Sequence, residues 1–229
     1  MNWLRGHWQL CVIMAVVVAL WATPVMLPLK ILVVFFHELA HGLAAILTGG
    51  QIEAISVSPD QGGVTMTRGG SRFVILSAGY IGSLLFGVML LLAGLKSRAD
   101  RAIAAGLGLV MLAIMALYLR GLFPMAFGGL TGIALLAMAR FLPAAASDLA
   151  LRTIGLTSMI YVPLDIFSDT IARSQLRSDA FMLGEYLGGG AAFWGGVWLI
   201  ISLAVIGLCL RYGLGQASNV RTPETPPTV

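Results

Sequence analysis

The chain has 229 residues, of which 59% are apolar and only 10% charged, with a mean hydropathy of +0.93. A soluble domain carries about 25% charged residues, so this deficit excludes a water-covered surface and makes lipid the solvent for most of the chain. The net charge of +4 is spread between apolar runs, the ordinary pattern of membrane loops, and argues against a nucleic-acid partner.

At about 20 apolar residues per span, six or seven helices use most of the chain. The expected fold is an all-α polytopic membrane protein, a single membrane-embedded domain over residues 1–212. A tail over 213–229, rich in Pro, Thr, Ser and Gly, is expected to be disordered.

A first span is predicted over residues 8–27. Its basic flank and apolar run resemble a signal-peptide core, but no small-x-small cleavage site follows, so it reads as an uncleaved span with cleavage as the alternative. Cys11 in this span and Cys209 in the last are the two cysteines. Both lie in apolar surroundings and read as packing residues, not as a disulfide or metal site. Pro24 and Pro28 mark the turn into a second span over 29–47, which Thr48-Gly49-Gly50 closes. Residues 51–68 then alternate short apolar and polar side chains around Ser58-Pro59-Asp60-Gln61-Gly62-Gly63. This pattern predicts a β-hairpin after the second helix, at the membrane interface or lining a cavity, where its backbone can be satisfied.

The third span, 72–95, carries Ser77, Ala78, Gly79, Gly82, Ser83 and Gly87, small residues that let helices approach closely. A fourth span is expected over 102–119 and a fifth over 123–141, bent or late-starting because of Pro124 and Gly128-Gly129. Residues 143–148 read as a loop and 149–167 as a sixth stretch interrupted by Pro163. Residues 168–185 read as a loop or interfacial helix, and 187–210 as the last span. Lys and Arg divide almost evenly between the two sides, so the charge rule does not orient the chain.

The chemistry concentrates in His37-Glu38-Leu39-Ala40-His41. His37 and His41 are four apart and so about 40° apart around a helix, which lets both imidazoles reach one metal ion. Glu38 is offset around the axis, where a carboxylate can act as general base toward metal-activated water. Ionisable residues in a span cost about 2.5–3.5 kcal/mol each on insertion scales, so their presence there implies function. Two of the three histidines of the chain fall in this pentapeptide; the third, His7, sits at the edge of the first span.

A catalytic zinc takes three protein ligands and keeps one open position, so one more ligand is needed. A carboxylate is the natural candidate, and Asp165 and Asp169, four apart beside the sixth apolar stretch, stand out. Asp165 is the leading candidate for the third ligand and Asp169 the alternative. The competing reading has these two capping the helix end or pairing with Arg173 or Arg177. Glu53 and Asp60 read as solvated hairpin charges, and Asp148, Asp179 and Glu185 as interfacial. Arg120 and Arg152 are expected to snorkel to head groups.

These features together resemble the site-2 protease family of membrane zinc metalloproteases, in its divergent bacterial branch. The resemblance is carried by Phe35-Phe36-His37-Glu38-Leu39-Ala40-His41-Gly42, Leu47-Thr48-Gly49-Gly50, Gly62-Gly63-Val64-Thr65, Ser77-Ala78-Gly79-Tyr80-Ile81-Gly82-Ser83 and a late Asp. It covers residues 30–90 well and the remainder loosely. It implies a Zn2+ site in the bilayer held by the two His and a distant Asp, with Glu38 as base. It further implies hydrolysis of membrane-associated protein or peptide substrates, a hairpin that holds substrate as an added strand, and a place in a bacterial cytoplasmic membrane. The chain departs from the main family at the third ligand, where Asp165 is followed by Ile166 instead of Gly. The alternative function is a non-catalytic metal-binding membrane protein or cation transporter using the same cluster. A protease-like scaffold that binds a membrane partner without cutting it is a third reading.

Overall fold

The computed structural model describes residues 3–219. Its helices are α1 (Trp3–Leu20), α2 (Leu27–Leu47), α3 (Arg72–Lys96), α4 (Asp100–Leu117), α5 (Leu122–Phe141), α6 (Ala144–Phe167), α7 (Asp179–Leu187) and α8 (Gly190–Gly213). A hairpin of β1 (Gln51–Val57) and β2 (Gly63–Arg68) follows α2, as expected. All the helices except α7 are long and apolar enough to cross a membrane.

Several boundaries differ from expectation for local reasons. The first helix starts and ends earlier, and a short 3-10 turn over Pro24–Met26 leads into α2. Pro124 lies in the first turn of α5, where its missing N–H costs nothing, so that helix is not delayed. Residues 144–148 are helical, not a loop, with Pro143 just ahead of them. Pro163 lies inside α6 without ending it. The polar segment after α6 resolves into a π-turn over Ser168–Ala172 and the short helix α7.

Helices α2 and α6 form the centre: 72% and 61% of their windows are buried, against 17–28% for α1, α4, α5 and α8. Helix α3 bridges them through its small residues. A Cβ added at Gly82 would meet the Ala40 methyl of α2, and one at Gly87 would meet Ser158 of α6. On the α6 side, a Cβ at Gly155 would lie 2.7 Å from Leu91. Close approach of this kind is what small residues on spanning helices provide. Phe35, Leu84, Leu156 and Ile166 fill the space between these three helices.

The hairpin pairs antiparallel, with Val57 opposite Gly63 and Gln51 opposite Arg68. Its β1 edge is also occupied: Ile55 N–H donates to Tyr118 O at 2.9 Å, and Arg120 N–H donates to Ile55 O at 3.2 Å. The connector between α4 and α5 thus covers one edge. The exposed Arg120 guanidinium donates to Leu117 O and Leu119 O, capping the end of α4.

Two further expectations are corrected at the far end of α6. Asp148 and Arg152, read as interfacial and snorkelling, are 4% and 3% exposed and pair with each other at 2.6 Å. Arg152 also donates to Gly94 O and Ser218 O. Ser218, assigned by composition to a disordered tail, is buried and its N–H donates to Gly6 O at 2.8 Å. The remainder of that tail, 220–229, lies outside the described residues.

Candidate metal centre

The apolar run Ile31–Phe36 carries α2 through the core and brings His37, Glu38 and His41 to one cleft. The imidazoles stand one helical turn apart, ring centroids 4.6 Å apart and planes at 77°. His41 Nδ1–H donates to Ile75 O at 2.7 Å. A carbonyl can only accept, so the proton is on Nδ1 and Nε2 is the nitrogen left for a ligand bond. Gly79 lets α3 lie against both rings: a Cβ there would fall 2.6 Å from His37 Cε1 and 2.7 Å from His41 Cε1.

The carboxylate between the two imidazoles belongs to Asp179. One of its oxygens, Oδ2, lies 2.9 Å from His37 Nε2 and 3.2 Å from His41 Nε2. Two ligands about 2.0–2.1 Å from one tetrahedral ion stand about 3.4 Å apart, so the trio is already close to the spacing a zinc ion demands. His37, His41 and Asp179 form one compact group that could hold a metal ion, with one ligand atom from each within 4.8 Å of the others. Burial alone would raise the Asp179 carboxyl. The His41 and His37 imidazoles beside it outweigh burial and hold the carboxyl far below the ordinary carboxylate range. An ionised carboxylate beside two neutral-capable imidazoles is a donor set suited to zinc.

The structure brings Asp179, not the expected Asp165, between the two imidazoles. Asp165, on the last turn of α6, lines the same cleft but is not in the compact trio. Asp169 accepts from Tyr80 O–H at 3.0 Å and pairs with Arg173 at 2.7 Å. It therefore follows the ion-pair reading given above for these two acids. Asp179 reads as interfacial in the sequence because its neighbours Arg177 and Ser178 are polar. The available signal was Ser178-Asp179 ahead of Ala180-Phe181, a helix start. Ser178 Oγ does accept from Phe181 N–H, which fixes the first turn of α7 and the carboxylate on it.

Glu38 is 5% exposed and stands apart from the trio. Thr65 O–H lies 2.7 Å from Glu38 Oε2 and 2.8 Å from its main-chain carbonyl. The β2 backbone lies directly on this carboxyl: a Cβ at Gly63 would fall 2.6 Å from Glu38 Cγ. The hairpin thus orients the carboxylate that α2 supplies. The surrounding cleft, about 810 Å³, runs from Lys30 past the trio to Asp60 on the hairpin turn.

Residues 10–209 match the family model described as Peptidase M50B-like. No curated protein and no solved structure gives a significant match to the chain.

Proposed function

The chain belongs to the Peptidase M50B-like family, a peptidase family of multi-pass membrane proteins, and on that premise we propose that it is a membrane-embedded zinc metalloendopeptidase of the site-2 protease type. The observation that carries the proposal is the separation of roles in one cleft: three ligand side chains converge, and a fourth group, Glu38, is held beside them by the hairpin. Ligation alone does not require that fourth group.

His37, His41 and Asp179 would hold the ion. A zinc ion so held polarises a carbonyl and makes water a nucleophile near neutral pH. Glu38 takes the proton of the attacking water and delivers it to the leaving nitrogen, a transfer worth about 10²–10⁴-fold. Thr65 keeps the carboxylate turned toward the cleft while it does so. Burial of Glu38, His41 and Asp179, beside a partly buried His37, limits bulk water and strengthens each electrostatic contact.

The substrate is a membrane-associated protein or peptide in extended form. Edge β1 is occupied on both sides, whereas β2 pairs only with β1 among the described residues. Gly63, Val64 and Thr65 of β2 line the cleft beside Glu38. An unwound segment can add to that free edge through its main chain.

The test is Glu38→Gln, assayed for zinc content and for hydrolysis of a membrane-tethered peptide by protein purified in detergent. The expected variant keeps its zinc and loses cleavage by about 10²–10⁴-fold. Cleavage at the wild-type rate would remove Glu38 from the mechanism. Wild-type protein that binds zinc and cuts nothing would favour the non-catalytic alternative.

A further inference from the structure

One polar chain in the cleft has no part in the hydrolysis above. The Tyr80 ring is 2% exposed and stands edge-on to His37, with centroids 4.7 Å apart and planes at 85°. Its other side packs on Trp198 of α8, centroids 5.4 Å apart. A phenol so deeply buried needs an acceptor. It has one in Asp169 Oδ2 at 3.0 Å, and the other oxygen of Asp169 accepts from Arg173 at 2.7 Å. Arg173 also donates to Ser168 Oγ at 3.1 Å.

These contacts fall on the segment that delivers the third ligand. Asp179 is the one member of the trio outside the spanning helices. It follows the π-turn Ser168–Ala172 and the connector 173–178. Such a connector loses metal affinity to the entropy of its own ordering unless it is ordered beforehand. The π-turn is pinned from behind, since a Cβ at Gly195 of α8 would collide with Thr170. It is pinned from the cleft side by Tyr80.

We propose that Tyr80 is a positioning residue that ties His37 to the segment carrying Asp179, holding two metal ligands from distant parts of the chain in one register. Through its ring it sets the His37 imidazole. Through its hydroxyl and Asp169 it anchors the start of the path to Asp179. The proposal rests on the metal reading given above.

The experiment uses the full chain in detergent. Zn2+ affinity is measured by competition with a chromophoric chelator, and ligand geometry by the visible absorption of the Co2+-substituted protein. The variants are Tyr80→Phe, Asp169→Ala and the double. Each single variant is expected to bind Zn2+ about 10–100-fold more weakly, the usual cost of losing a group that orients a ligand, with altered Co2+ bands. The double should lose no more than the worse single, because both break one clasp. Wild-type affinity and spectrum in Tyr80→Phe, or additive losses in the double, would overturn the proposal. Should Tyr80→Phe not fold, Asp169→Ala decides alone, since its side chain is partly exposed; wild-type binding there also overturns it. Failure of the wild type to bind Zn2+ would instead overturn the metal reading itself.

Discussion

His37 and His41 meet because they share one helix face, but the carboxylate that joins them is brought there by tertiary packing. Asp179 is wedged between both imidazoles, while Asp165 is a wall residue of the cleft. Asp179→Ala should therefore abolish tight Zn2+ binding, a loss exceeding the about 10–100-fold cost of an outer-shell change, and Asp165→Ala should keep it. Metal content after dialysis of the purified variants checks this; the reverse order would return the third-ligand role to Asp165. The pentapeptide was legible in the sequence because its geometry is local: spacing of four on a helix puts two rings on one side. Asp179 was not, because hydropathy weighs a residue by its neighbours in sequence, whereas the cost of a charge depends on what surrounds it in space.

At the scale of elements, the close approach of α3 to α2 is what seals the metal face. Gly79 has no room for a methyl against the two imidazoles, whereas Gly106 on α4 has nothing within 4 Å of a Cβ. Gly79→Ala is expected to cost about 1–3 kcal/mol by overpacking and to displace His37 and His41. Gly106→Ala should be neutral or slightly stabilising in helix terms. Thermal unfolding in detergent, with Zn2+ content measured alongside, separates the two; equal behaviour would mean that α3 yields freely. The small-residue pattern of α3 was readable as a packing face, and the hairpin as two alternating runs around a turn. The early start of α6 was not readable. Its opening Ala144-Ala145-Ala146-Ser147-Asp148, straight after Pro143, looks like a loop until Asp148 and Arg152 are seen to satisfy each other.

At the scale of the whole molecule, a second buried polar centre lies at the end of α6 remote from the His37, His41 and Asp179 trio. Arg152 joins α6 to the end of α3 through Gly94 O and to Ser218 through its carbonyl, and Ser218 in turn holds α1 at Gly6. Arg152→Ala strands the Asp148 charge in the interior, which typically costs about 3–5 kcal/mol. Replacing both partners with apolar residues of similar size, Arg152→Met with Asp148→Leu, should recover most of that loss. A thermal-stability series of the single and double variants checks it; a double no better than the single would show that the contacts to Gly94 and Ser218 dominate. By itself the sequence determined a fold of six or seven spans, the hairpin, and the placing of two imidazoles and a carboxylate on one helix. Each of these follows from hydropathy or spacing over a few residues. Only the tertiary structure decided which carboxylate completes the trio, what orients Glu38, and why Arg152 can be buried. Deciding partners come from far along the chain, 142 residues from His37 to Asp179 and 66 from Arg152 to Ser218, even though Arg152 also has Asp148 one turn away. No local pattern encodes that proximity; the packing of α2, α3, α6 and α8 creates it.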